Sequence, residues 1–218
     1  MLFSTNVFLF LFLPLFLALY YLTPFRYKSL LILVTSYLFY GWWRADFLLL
    51  FFAVTLWSYL AGRIISGSED PRRAKAALVA GVTANLLALG YFKYFNFGVD
   101  SLNAVMAGVG LEPFTAWRVI LPIGLSFYIF QAISYVVDVY RKDAPPARTF
   151  WDLSAFIALF PQLIAGPVLR YKHLAGQFKR RSHTLEKFSE GAMRFMVGFC
   201  KKVLIADAVA PLVEASFN

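Results

Sequence analysis

The sequence predicts an all-α, polytopic membrane bundle with a re-entrant helical hairpin, and three observations carry that prediction. Of 218 residues, 60% are hydrophobic and only 15% are charged, against about a quarter charged in a typical soluble domain. The apolar residues fall in runs close to the ~20 residues that a helix needs to cross the hydrocarbon layer. The 21 Lys and Arg outnumber the 12 Asp and Glu, for a net charge of +9, and they sit in short stretches between the apolar runs. That placement sets membrane orientation, so membrane lipid and not nucleic acid is the expected partner. Cys200, the single cysteine, excludes an intrachain disulfide, and no Cys or His spacing closes a zinc site, so no metal is expected.

The chain reads as a single membrane domain, 1–218. Its first apolar run, 2–22, lacks the basic start, short core and small-residue cleavage site of a secretory signal. It is therefore expected to be a retained span, bent at Pro14. Further spans are expected at 29–43, 47–65, 76–95 and 119–139, with Trp42, Trp43 and Arg44, and then Tyr91, Lys93 and Tyr94, as interfacial anchors. Arg26 and Lys28 place the first loop in the cytoplasm. Arg63, Arg72, Arg73 and Lys75 do the same for the loop after the third span. The segment 96–117, which carries Asp100 and Glu112 and no Lys or Arg, falls outside, and Arg141, Lys142 and Arg148 bring the chain back in. Five crossings with an external amino terminus satisfy all four loops.

The next segment breaks the alternation. The stretch 151–169 is apolar, yet basic residues flank it on both sides, at Arg148 and from Arg170 onward. Pro161 removes a helical hydrogen bond, and Gly166 with Pro167 forms a second breaker, so a helix from 151 to 160 rises only ~15 Å. A re-entrant hairpin follows, and at that depth unpaired backbone is tolerated only beside protein or a watery cavity. The alternative is a kinked but complete span with the basic stretch outside.

Along the preceding helix, Gly124, Phe127, Gln131, Ser134, Tyr135 and Asp138 recur at three- and four-residue steps and share one face. Amide and carboxylate groups at membrane depth must face protein or water, which makes them functional-site candidates. They also fit the plainer role of polar glue between helices, with Arg141 as the neighbour that could pair with Asp138. The stretch 184–206 carries Glu186, Lys187, Glu190, Arg194 and Lys201 on one stripe, as expected of an amphipathic helix lying along the membrane surface, with a sixth crossing as the alternative. Glu190 and Arg194 are spaced to pair. Asn85, alone in its helix, suits interhelical packing. His173 and His183, among lysines and arginines, suit solvated surface residues, and Ser126 has no local base to activate it.

At these residues the chain resembles a known family. LPIGLSFYIFQAISYVVDVYR, followed by FPQLIAGPVLRY, is similar to the paired signature of the membrane-bound O-acyltransferases. MLFSTNVFLFLFLPLF with SYLFYGWWR resembles the start of its alginate O-acetylation branch, and the resemblance runs along the whole chain. It implies the amino-terminal part of a funnel-shaped, multi-helix enzyme of the bacterial inner membrane, with acetyl-CoA as cytoplasmic acetyl donor and no permanently bound cofactor. Periplasmic alginate-acetylation proteins are the implied partners. Gln131, Tyr135, Asp138, Pro161, Gln162, Gly166 and Pro167 become candidates for the substrate funnel. Arg170 and Lys172, at its mouth, are candidates for the phosphates of coenzyme A or for anionic lipid headgroups. The resemblance places the family's catalytic histidine beyond Asn218, so no catalytic residue is expected in this chain, and the chain alone is expected to be inactive. A transporter would also carry a broken helix and a buried Asp, but the FPQLIAGP pattern has no second copy. A non-catalytic membrane scaffold in exopolysaccharide assembly is the other alternative.

Overall fold

The computed structural model describes residues 5–163, 166, 169–179 and 181–217. Among these residues there is helix and no strand, an all-α membrane bundle. A widened π turn, Phe8–Phe12, leads into α1, Leu13–Leu22, with the Leu13 N–H bonded back to the Phe8 carbonyl. Helix α2 covers Lys28–Gly41, α3 Phe47–Gly67 and α4 Pro71–Gly108. After an irregular stretch come α5, Leu125–Tyr140, α6, Phe150–Ile157, and the single turn α7, Phe160–Leu163. Helix α8 is Tyr171–Lys179, α9 Leu185–Lys201 and α10 Asp207–Phe217, with a π turn at Lys202–Ala206. Helices α3 and α4 are long and apolar enough to cross a membrane, while Phe8–Leu22 and α5 are shorter apolar helices. With its composition, this makes the chain a membrane protein.

Several boundaries differ from those read in the sequence, each for a local reason. Helix α4 begins where Asp70 accepts the Arg72 N–H at 2.8 Å and Pro71 takes the first helical position, a favoured pairing at a helix start. It then runs well past the expected 76–95 to Gly108, because residues 96–108 hold no breaker that outweighs the helical ladder. At 1.5 Å per residue its 38 residues extend ~57 Å. The expected external loop 96–117 is therefore helical over its first half. Helix α5 starts at Leu125 and not at 119, since Gly124 takes the left-handed conformation, φ 75°. Residues 184–206 do not form one helix that stops; α9, the π turn and α10 carry helix on to Phe217.

The chain divides into two compact units, 20–178 and a second composed of 1–19 with 179–218. In the second unit, α9 is capped by Thr184, whose hydroxyl accepts the Lys187 N–H at 3.2 Å, and Glu190 pairs with Arg194 one turn on. None of the α9 residues is buried. In the first unit, α3, α4 and α5 pack on one another, and α6 packs against α2 and α3. Small residues allow the close approach: an added Cβ at Gly81 would lie 3.0 Å from the Ala61 Cβ and 3.3 Å from Val136. Asn85 fills the polar gap there, donating to Ser58 Oγ at 3.1 Å and to the Gly81 carbonyl at 2.9 Å. It acts as the interhelical glue expected from its isolation.

The irregular stretch after α4 is strapped back along that helix by two asparagines. Asn96 donates to the Val119 carbonyl at 2.7 Å and accepts the Val119 N–H at 2.9 Å. Two turns along, Asn103 does the same to Phe114, at 3.0 and 2.8 Å. Trp117 stacks on Phe95 and donates to the Tyr91 hydroxyl at 3.2 Å. Each amide side chain supplies a donor and an acceptor, so it satisfies a peptide group as a neighbouring strand would.

Candidate functional site

The segment read as a hairpin is a helix broken earlier than Pro161. Thr149 caps α6 by accepting the Asp152 N–H at 3.1 Å. The Asp152 carboxylate in turn accepts from Thr149 Oγ1 at 2.9 Å and from Ser29 Oγ of α2 at 2.7 Å. The helix ends at Ile157 rather than at 160, and Pro161 sits in the first turn of α7, where a missing N–H costs little. Leu153, Ala155, Phe156 and Ile157 are wholly buried, while Trp151 in the first turn is exposed, so the later part of this short helix is enclosed by protein. Helix α7 is docked on α2: the Phe160 N–H donates to the buried Ser36 Oγ at 3.2 Å, and the Phe160 and Phe39 rings lie 5.5 Å apart. Its far end meets the start of α5, where a Cβ at Gly124 would collide with the Leu163 carbonyl. Gly166 folds back on Gln162, with an added Cβ falling 2.7 Å from the Gln162 Cα. Pro167 lies outside the described residues.

Against this segment stands the polar face of α5. Gln131, Tyr135 and Asp138 are all buried, as three residues on one inward stripe should be. The Gln131 Oε1 and the Gln162 Nε2 have no hydrogen-bond partner among the described residues. One is an acceptor and the other a donor, each of the kind that costs about 1–3 kcal/mol when left alone in a protein interior. Tyr135 accepts the Ala147 N–H on its hydroxyl at 3.3 Å and meets the Tyr171 ring edge-on at 4.8 Å. Pro161 is exposed. The structure thus brings Gln131, Tyr135, Asp138 and Gln162 into the interior of one unit.

Asp138 does not pair with Arg141. Its carboxylate bonds the guanidinium of Arg170, which lies beyond α7 in the chain, and the Lys172 backbone N–H donates to its second oxygen at 3.3 Å. The Arg170 guanidinium also reaches Asp143 at 3.3 Å. The hydrogen bond that the guanidinium donates to Asp138 is the largest influence on it, and it raises the Arg170 pKa above the ordinary value. Arg141 is exposed at the end of α5, whereas Asp138 is wholly buried. The Lys172 side chain is exposed and makes no ion pair among the described residues.

Sequence reasoning missed three tyrosines. Tyr37 and Tyr40 of α2 and Tyr128 of α5 surround Phe51, with ring centroids 5.7, 5.8 and 4.4 Å from it, and none of the three hydroxyls has a hydrogen-bond partner among the described residues. Tyr128 stands three residues before Gln131, at helical spacing, but the stripe read from the sequence included Phe127 in its place. Its aromatic ring disguised it as core. His173 is exposed on α8. No group of His, Cys, Asp and Glu among the described residues could hold a metal ion.

Similarity to known proteins agrees with the motifs. Over its whole length the chain is 59% identical to the probable alginate O-acetylase AlgI of Pseudomonas putida and 57% identical to that of Azotobacter vinelandii. It is 28% identical, again over the whole chain, to the peptidoglycan O-acetyltransferase of Helicobacter pylori. The chain spans 45, 44 and 47% of the lengths of these relatives, less than half of each. No protein-family model and no solved structure matches it. The resemblance to membrane-bound O-acyltransferases, read along the whole chain, is matched by whole-chain similarity to O-acetyltransferases.

Proposed function

We propose that the chain is the amino-terminal part of a membrane-bound O-acetyltransferase that passes acetyl from cytoplasmic acetyl-CoA toward the O-acetylation of alginate in the periplasm. The observation that carries this reading is identity of 53–59% over the 218 residues of the chain to proteins named alginate O-acetylase. The protein sits in the bacterial inner membrane, crosses it several times and has its amino terminus in the periplasm. Counting ~20 residues for a crossing from the basic group at Arg72, Arg73 and Lys75 brings α4 to the aromatic level of Tyr91, Tyr94 and Trp117. The strap then lies at the outer surface, facing the periplasmic proteins that take part in alginate acetylation.

Inside the bundle, Gln131, Tyr135 and Gln162 line the passage toward the reacting acyl group. Their neutral donors and acceptors suit a hydroxyl or carbonyl and exclude a bare charge. Acyl transfer to a hydroxyl requires a general base near the acceptor. His173 is exposed on α8, and the chain spans less than half of its relatives' length. The base therefore belongs to the remainder of the complete enzyme, and this portion alone is inactive. The exposed Lys172 ammonium meets the phosphates of the donor.

The test is to express the complete protein in membranes, supply acetyl-labelled acetyl-CoA on the cytoplasmic side and follow label into a periplasmic partner protein or into alginate. Label is expected in one of these, and its appearance is expected to depend on a histidine absent from this chain. No transfer from acetyl-CoA to either acceptor, with the complete set of partner proteins present, would overturn the reading.

A further inference from the structure

One buried carboxylate ties the chain beyond the hairpin to the end of α5. Asp138 has no exposed surface, and both of its carboxylate oxygens are engaged, one by the Arg170 side chain and one by the Lys172 backbone N–H. Its own carbonyl accepts the N–H groups of Asp143 and Ala144, at 2.9 and 3.3 Å. That turn brings the Asp143 carboxylate to the same guanidinium nitrogen, at 3.3 Å. Between the two tied residues, Tyr171 is buried against the rings of Tyr135 and Phe156, at 4.8 and 5.2 Å. A guanidinium between two carboxylates is already charge-compensated, and breaking a pair whose carboxylate is buried leaves an uncompensated charge in the interior. Arg170 is therefore a poor receptor for a phosphate.

We propose that Arg170 is a positioning residue and not a ligand for the acyl donor: with Asp138 and Asp143 it clamps the chain after the hairpin to the end of α5. The clamp holds Tyr171 against Tyr135 and so fixes the hairpin beside the polar face of α5. Its kinetic consequences rest on the acetyl-transfer reading; the clamp itself does not.

The test uses the complete protein in nanodiscs, with the variants R170A, D138N, the double variant and K172A. R170A and D138N are each expected to lower kcat by roughly 10- to 100-fold, the loss typical of misplaced groups, with KM for acetyl-CoA unchanged. The double variant is expected to be no worse than either single one. K172A is expected to raise KM with kcat preserved. If R170A instead raises KM while D138N leaves the kinetics intact, Arg170 binds the donor and the proposal fails. Should the wild type transfer no acetyl, the reaction reading fails alone, and the thermal midpoints decide the clamp. Shifts in the double variant no larger than in the singles support it, and fully additive shifts overturn it.

Discussion

Gly62 of α3 lies directly against the Tyr135 ring of α5, so close that an added Cβ would fall 2.7 Å from two of the ring carbons. The ring cannot retreat, because its hydroxyl holds the Ala147 N–H and its face meets Tyr171. Replacing Gly62 with alanine is expected to destabilise the protein by about 1–3 kcal/mol, the cost of overpacking a filled interior. G67A, at a position with open space around it, serves as the control. Thermal midpoints in detergent measure both, and equal stability of the two variants would contradict the packing described.

Gly124 faces two penalties at once. Its φ of 75° strains any residue with a Cβ, and that Cβ would run into the Leu163 carbonyl. G124A is expected to unseat α7 from α5, and the Phe160 amide, now bonded to Ser36, is expected to exchange with deuterium faster. An unchanged rate at Phe160 would show that α7 docks without Gly124.

The strap along α4 depends on side-chain amides that both donate and accept. N96A and N103A are each expected to speed amide exchange at Val119 and Phe114 respectively, by about 1 kcal/mol for each hydrogen bond lost. N96D is expected to loosen Val119 as well, since a carboxylate accepts but cannot donate to the carbonyl. Exchange in N96D as slow as in the wild type would argue that Asn96 is not the fastener.

Orientation can be read by labelling intact cells. In a C200S background, E112C is expected to react with a membrane-impermeant maleimide from outside, and E69C only after the cells are opened. The reverse pattern would invert the proposed topology.

The all-α membrane architecture was legible because apolar runs of spanning length, punctuated by basic residues, suit a bilayer and overfill a soluble core. The inward face of α5 was legible for a similar reason: Gln131, Tyr135 and Asp138 repeat at helical spacing where lipid would penalise them. Element ends were less legible. Nothing local distinguishes a helix that stops at Phe95 from one that continues to Gly108, and the strap that covers its continuation is made by residues 11 and 23 positions away. The three tyrosines around Phe51 were hidden because a phenol reads as core until its hydroxyl is found without a partner.

The sequence by itself determined that this chain forms helices in a membrane, that its chain breaks near Pro161, and that polar groups of α5 point inward. These follow from local chemistry, the hydrogen-bonding needs of the backbone in lipid and the helical period. Only the tertiary structure decided which groups meet. Asp138 found Arg170, 32 residues on, and not Arg141, three residues on. The choice depends on where the chain beyond α7 returns to α5, and three separate contacts bear on that: Gly124 against Leu163, Ser36 with the Phe160 amide, and Tyr171 against Tyr135 and Phe156.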